Sequence, residues 1–272
     1  MALQVQVQEL LPKLPGNLEW QMVNDGESGD MVFRRSDGAA FAKLARASRI
    51  PALEGEYLRT DWLSGQQIGS AQVQDWSKTD QYACLVTSCV SGVSASALSP
   101  ADLLKAWPSI AEKFWQLHQL PSESCPFERR LLQVVATAED VISRNAVNRD
   151  FLDDADKDTP AEKLLDPIRP QIPLRIEQET ADLVVCHGDA CMPNIMVDPK
   201  TLVCTGIIDL GRLGLADRYQ DLALMTGNTR ETWQDERQAE KALQILFKTQ
   251  NIPIPDLERL AFYLKLDPLT WG

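Results

Sequence analysis

The sequence predicts an α+β protein in two parts, a small strand-rich part over residues 1–90 and a larger, mainly helical part over 91–272. Three observations carry this. The first ninety residues hold short extended apolar runs around a single helical stripe. Beyond Ser94 apolar residues recur at helical spacing over long stretches, and one extended segment, 183–209, interrupts the helices. With 272 residues and 44% apolar content the chain can bury a substantial core.

The elements follow in order. Met31–Arg35 and Ala39–Leu44 read as strands joined at Ser36-Asp37-Gly38, where Asp-Gly is a hairpin signal. Leu53, Tyr57, Leu58, Trp62 and Leu63 form a helical stripe over 52–63. The apolar run Tyr82–Val90 reads as a strand ended by Ser91-Gly92. Ser99-Pro100, an N-cap with proline at the first helical position, opens a helix running to about Leu120. Further helices are expected at about 128–146, 161–180, 217–228, 234–250 and 256–266.

Composition narrows the function classes. No run approaches the roughly 20 apolar residues of a membrane helix, and the first 20 residues lack the basic start and apolar run of a secretory signal, so a cytoplasmic protein is expected. The six cysteines are dispersed through apolar runs with no Cys-x-x-Cys pair, which argues for reduced, mostly core thiols. His118, in a helical apolar run with no partner ligand at usable spacing, reads as structural. A net charge of −12 without long basic runs argues against a nucleic-acid partner; it would draw in a cation, though an acidic balance also serves solubility.

The chemistry concentrates in His187-Gly188-Asp189, Asn194 and Ile208-Asp209-Leu210-Gly211. Asp189 follows the apolar run Leu183–Cys186, and Pro193 makes Asn194 begin a new extended segment, so both polar groups emerge from the end of buried structure. Phosphoryl transfer to a hydroxyl needs one carboxylate to orient the acceptor and hard ligands for the cation on the phosphates. Asp189 fits the first task. Asn194 and Asp209, on a hairpin from 195–197 to 206–208, fit the second and suit magnesium. Upstream, Asp25-Gly26-Glu27-Ser28-Gly29-Asp30 precedes a hairpin, where small residues let backbone N–H groups approach phosphates. Lys43 sits in the apolar run Phe41-Ala42-Lys43-Leu44-Ala45 and needs an acceptor; Glu56 is the candidate, with Glu54 as its rival.

Loop, lysine, helix glutamate, Asp-x4-Asn and Asp-Leu-Gly in that order resemble the aminoglycoside phosphotransferases, relatives of the protein kinases. Gly-Glu-Ser-Gly-Asp, Cys-Pro-Phe-Glu-Arg-Arg, Val-Val-Cys-His-Gly-Asp, Ile-Asp-Leu-Gly-Arg-Leu-Gly and the final Asp-Pro-Leu-Thr-Trp-Gly are similar to the streptomycin 3''-kinase branch. The resemblance implies a two-lobed protein-kinase-like fold, with a nucleotide-binding N-lobe over 1–90 and a catalytic, aminoglycoside-binding C-lobe over 91–272. It implies ATP with Mg2+ as cofactors and streptomycin, phosphorylated at its 3''-hydroxyl, as the small-molecule partner of a monomer without nucleic-acid or membrane partners. By the same resemblance Ser28 belongs to the nucleotide loop, Lys43 and Glu56 to the phosphate-binding pair, Asp189 to the catalytic position, and Asn194 and Asp209 to the metal ligands. Arg212 matches the arginine after Asp-Leu-Gly, in a supporting role.

Streptomycin carries two guanidinium groups, so carboxylates in fork-like pairing are expected in its pocket. One candidate source is the acidic stretch Asp150–Asp166; the other is the tail, where Asp267 would pair with a guanidinium and Trp271 stack on it, each contact worth about 1 kcal/mol. A kinase for another aminoglycoside or a small alcohol, and a catalytically dead kinase-like binding protein, are the competing readings.

Overall fold

The structure, a computed structural model, describes residues 18–23, 30–233 and 235–272. The chain forms two compact units, one of residues 1–92 with 205–211 and one of 93–204 with 212–272.

The first unit is built on a five-stranded antiparallel sheet in the order β1-β2-β3-β5-β4, with β1 Trp20–Val23, β2 Met31–Arg35, β3 Ala40–Arg46, β4 Val73–Lys78 and β5 Tyr82–Ser88. The β2–β3 hairpin turns at Gly38, whose φ of +72° glycine adopts without strain, while Asp37 Oδ1 accepts the Ala39 N–H. Side chains alternate across the sheet. Ala40, Ala42 and Leu44 pack with Phe33, Cys84 and Val86 on one face, and Ala45 packs with Ala83 and Leu85 under helix α1, Ile50–Ser64, on the other. Lys43, one residue from Leu44 and two from Ala45, is therefore on the helix face. Burial pushes the Cys84 thiol up to about 12, with Asp75 adding to the effect, so this cysteine is an inert core group. Residues 205–211 join this unit where the Ile207 N–H donates to Gly69 O at 3.1 Å.

The second unit centres on α2, Pro100–His118, which buries Leu103, Trp107, Ile110, Phe114 and Leu117 along one stripe. Ser99 caps it by accepting the Asp102 N–H, with Pro100 in the first turn as the sequence predicts. Around it stand α3 Leu131–Ser143, α4 Ile172–Ala181, α5 Tyr219–Thr232, α6 Glu236–Thr249 and α7 Leu257–Leu266. Trp107 Nε1 donates to Ala242 O of α6 at 2.8 Å, and its ring meets Trp233 edge-on. Two small antiparallel pairings complete the unit: β6 Val93–Ser94 with β8 Ile195–Val197, and β7 Leu183–Cys186 with β10 Gly214–Asp217, Cys186 opposite Gly214. The strand β9, Cys204–Ile207, leads out of this unit into 205–211.

The helix expected over 161–180 is the main correction. Only Ile172–Ala181 is α-helical, preceded by short 3-10 turns at Ala161–Lys163 and Arg169–Gln171. Pro167 and Pro170 lack the N–H groups a continuous helix requires, whereas Pro173 falls in the first turn, where none is needed. Among the described residues no helix is long and apolar enough to cross a membrane.

Candidate active site

In the first unit Lys43 Nζ donates to both Glu56 oxygens at 2.8 Å and lies 3.5 Å from Asp209 Oδ1. Strand alternation puts Lys43 on the helix face, and Glu56, three residues after the buried Leu53, projects on the same side of α1. Glu54 points elsewhere and pairs with Lys78 at 2.7 Å, so the choice between the two glutamates falls to Glu56. Burial alone would push the Lys43 ammonium down; attraction to Glu56 and Asp209 outweighs it, and the net shift is upward. Lys43 is thus a fixed cation among carboxylates. Asp209 holds a left-handed φ of +60°, tolerated by aspartate better than by most residues, and its carboxylate is 44% exposed. Of the glycine-bearing loop, Ser28 lies outside the described residues; Asp30, at its end, pairs with Arg49 at 3.1 Å.

In the second unit Asp189 sits on the loop after β7. Pro193 opens a 3-10 turn, Met192–Asn194, which returns Asn194 to Asp189. Asn194 Nδ2 donates to Asp189 Oδ2 at 2.9 Å and Asp189 O at 3.1 Å, with Cys191 Sγ at 3.2 Å. The nitrogen end of the amide is therefore spent within the loop, and its oxygen is the end left to a ligand. Asp189 itself is half-buried, and its N–H donates to His187 Nδ1 at 3.2 Å.

This loop is anchored from below by Asp221 of α5. Its Oδ2 and Oδ1 accept the N–H groups of His187 and Gly188, each at 2.8 Å. His118 Nε2 is 3.1 Å from the same Oδ2, and its Nδ1 is 3.1 Å from Gln250 Oε1. His118 is structural, as expected, but it has a partner, 103 residues away in the chain. The ligand atoms of His118, Cys186 and Asp221 lie within 4.8 Å of one another. Both ring nitrogens and both carboxylate oxygens are nonetheless taken by protein partners, so the cluster is a hydrogen-bonded core rather than a metal centre. Burial would raise the Asp221 carboxyl, yet bonds from His118 and the Gly188 N–H, with electrostatic attraction to the two imidazoles, hold it below the usual carboxylate range.

Asp267 and Trp271 do converge on a guanidinium, and it is the chain's own. The Arg212 guanidinium carbon stands 3.4 Å from the Trp271 ring centre, and Nη1 is 3.4 Å from Asp267 Oδ1. Trp271 Nε1 donates to Asp267 Oδ2 at 3.1 Å. Neither the Asp221 anchor nor this stack was legible in spacing, because each joins residues far apart in sequence.

The acidic stretch is ordered by Arg149, whose Nη1 donates to the carbonyls of Lys157 and Thr159. Asp154 pairs with Lys157 and Asp156 with Lys265, leaving exposed Asp150, Asp153, Asp158, Glu162 and Asp166 outside any salt bridge among the described residues.

The streptomycin 3''-kinase of Streptomyces griseus is 47% identical over 254 residues, covering 93% of each chain. An aminoglycoside 3'-phosphotransferase of Streptomyces fradiae is 36% identical over 92% of this chain and 94% of its own. The solved aminoglycoside phosphotransferase APH(3'')-Id of Streptomyces rimosus, in complex with ADP and streptomycin, superposes with a TM-score of 0.91 at 43% identity over the whole of both chains. The profile described as "Phosphotransferase enzyme family" matches residues 19–263, and the chain belongs to that family.

Proposed function

We propose that the protein transfers the γ-phosphate of ATP to the 3''-hydroxyl of streptomycin and thereby confers resistance to the antibiotic. The observation that carries this reading is the Asp189 carboxylate, one oxygen fixed by the Asn194 amide at 2.9 Å and the other left to receive an acceptor hydroxyl. A carboxylate so placed orients the hydroxyl and takes its proton as the phosphoryl group arrives.

Lys43, held by Glu56, is assigned to the nucleotide's phosphates, and Ser28 to the loop that covers them. The amide oxygen of Asn194 and the exposed carboxylate of Asp209 are hard donors of the kind magnesium takes, and each is assigned to the metal. Bound there, the ion would neutralise charge on the phosphates. We assign 1–90 to nucleotide binding and 91–272 to catalysis and antibiotic recognition.

Support for the substrate comes from the relatives: the Streptomyces griseus kinase is named for streptomycin, and the Streptomyces rimosus enzyme was solved with it. The unpaired carboxylates of the 150–166 stretch suit a cation bearing two guanidinium groups and an amine. The Streptomyces fradiae relative, a 3'-phosphotransferase, favours one competing reading, phosphate placed on a different aminoglycoside hydroxyl. A cytoplasmic monomer completes the proposal.

The test is ADP release from purified protein with Mg-ATP and streptomycin, kanamycin or no acceptor, with mass spectrometry of the antibiotic. One added phosphate on streptomycin alone is expected, and fragmentation locates it. Transfer to kanamycin alone overturns the substrate, and silence with every acceptor overturns the activity.

A further inference from the structure

We propose that Arg212, gripped by the C-terminal residues Asp267, Thr270 and Trp271, is a positioning residue that holds the Gly188–Asp189 loop in place. The proposal rests on the reading of Asp189 as the acceptor-binding carboxylate.

The grip is extensive for one side chain. Arg212 Nη1 donates to Thr270 Oγ1 at 2.8 Å, Nη2 donates to Thr270 O at 3.1 Å, and the guanidinium plane lies on the Trp271 ring. Asp267 supplies the opposing charge and is itself oriented by the Trp271 indole N–H. Arginine is suited to this arrangement and lysine is not, since only a planar fork can stack and hydrogen-bond at once. The tail is fixed in turn: the Asn148 N–H donates to Trp271 O at 3.4 Å, and the Trp271 ring meets Phe151 edge-on.

The other end of Arg212 touches the loop. Its carbonyl lies so close to Gly188 that a Cβ added there would stand 2.3 Å from it, and the Arg129 side chain closes the same space at 2.7 Å. Gly188 has a φ of +78° and gives its N–H to Asp221. The residue before Asp189 is therefore held by Asp221 through its N–H and walled in by Arg212 and Arg129. Arg129 also approaches Asp267, at 3.9 Å, so both walls share one carboxylate. On this account Asp267 and Trp271 act on the reaction through Arg212, and the guanidinium they hold is internal.

The experiment is Arg212→Ala, with Arg212→Lys and Trp271→Ala beside it, each first checked for folding by circular dichroism. Two quantities are read: steady-state kinetics with both substrates, and hydrogen exchange of the peptide covering 187–191. Arg212→Ala is expected to lose turnover by roughly 10- to 100-fold with the acceptor KM within about twofold, because misplacement rather than lost binding is at fault. Exchange at 187–191 should rise, and millimolar methylguanidinium should reverse both effects. Arg212→Lys should remain impaired, and Trp271→Ala should change both readouts in the same direction.

Unchanged exchange in folded Arg212→Ala, or no response to methylguanidinium, overturns the proposal. So does a rise in acceptor KM alone in Trp271→Ala, which would make the indole a substrate contact. If the unmodified protein phosphorylates no aminoglycoside, the exchange readout still tests the grip, so failure of the functional reading is distinct from failure of this one.

Discussion

Lys43 Nζ sits 2.8 Å from each carboxylate oxygen of Glu56, joining β3 to α1 across the helix face of the sheet. The two are 13 residues apart, and each is brought there by an ordinary periodicity, two for the strand and 3.6 for the helix. Glu56→Gln keeps the shape but removes the charge that holds the ammonium. The expected outcome is a rise of about tenfold or more in the ATP KM with the acceptor KM little changed, measured by coupled ADP release.

Asp189→Asn keeps the loop and the phosphate site but cannot accept the hydroxyl proton. Turnover should fall by about 10²- to 10⁴-fold while nucleotide affinity, read by calorimetry, stays within a few-fold. Near-normal turnover in this variant would remove Asp189 from the mechanism.

Gly188→Ala places a methyl group 2.3 Å from Arg212 O at a φ of +78°. Backbone, rather than a flexible side-chain tip, must yield. A loss of about 1–3 kcal/mol of stability is expected, with a larger relative loss of turnover because the next residue is Asp189. Urea titration and kinetics on the same preparation measure the two effects.

Asp221→Asn should cost roughly 3–5 kcal/mol near neutral pH, since it strips a buried carboxylate from His118 and two backbone N–H groups. The sign with pH follows from the folded carboxyl lying below its ordinary value. The unfolded chain binds this proton more readily, so stability from the charged form is complete above the unfolded pKa, about 4. It is lost as pH falls through the folded value. The gap between the unmodified protein and the variant should thus be constant from neutral pH down to the ordinary carboxylate range and narrow below it, as thermal melts across that range would record. A gap that widens on acidification would contradict the assignment.

With a net charge of −12 and unpaired carboxylates at 150–166, raising salt should increase the KM of a cationic acceptor more than that of ATP. Equal salt dependence of the two constants would count against electrostatic capture by this surface.

Local chemistry was legible in the sequence wherever a residue's partners lie on the same element or follow from its period. The Asp-Gly hairpin, the Ser99 cap and the helix α1 were of this kind, although Leu58 of its stripe is exposed and Asn194, read as the start of an extended segment, closes a 3-10 turn instead. The edge strands Trp20–Val23 and Val73–Lys78 were not, because polar residues interrupt their alternation and what makes them strands is a neighbour to bond with. The helix over 161–180 was overextended because apolar spacing outweighed Pro167 and Pro170 in the reading, though not in the fold.

By itself, then, the sequence determined the α+β character, the order of the phosphoryl-transfer motifs and the residue types that carry the chemistry, since these depend on spacing and functional groups. Tertiary structure decided the partnerships: Glu56 over Glu54 for Lys43, Asp221 and His118 beneath the Asp189 loop, and Arg212 against Trp271 and Asp267. Each joins side chains on different elements, and a contact of that kind depends on how the elements pack, which no local pattern along the chain encodes.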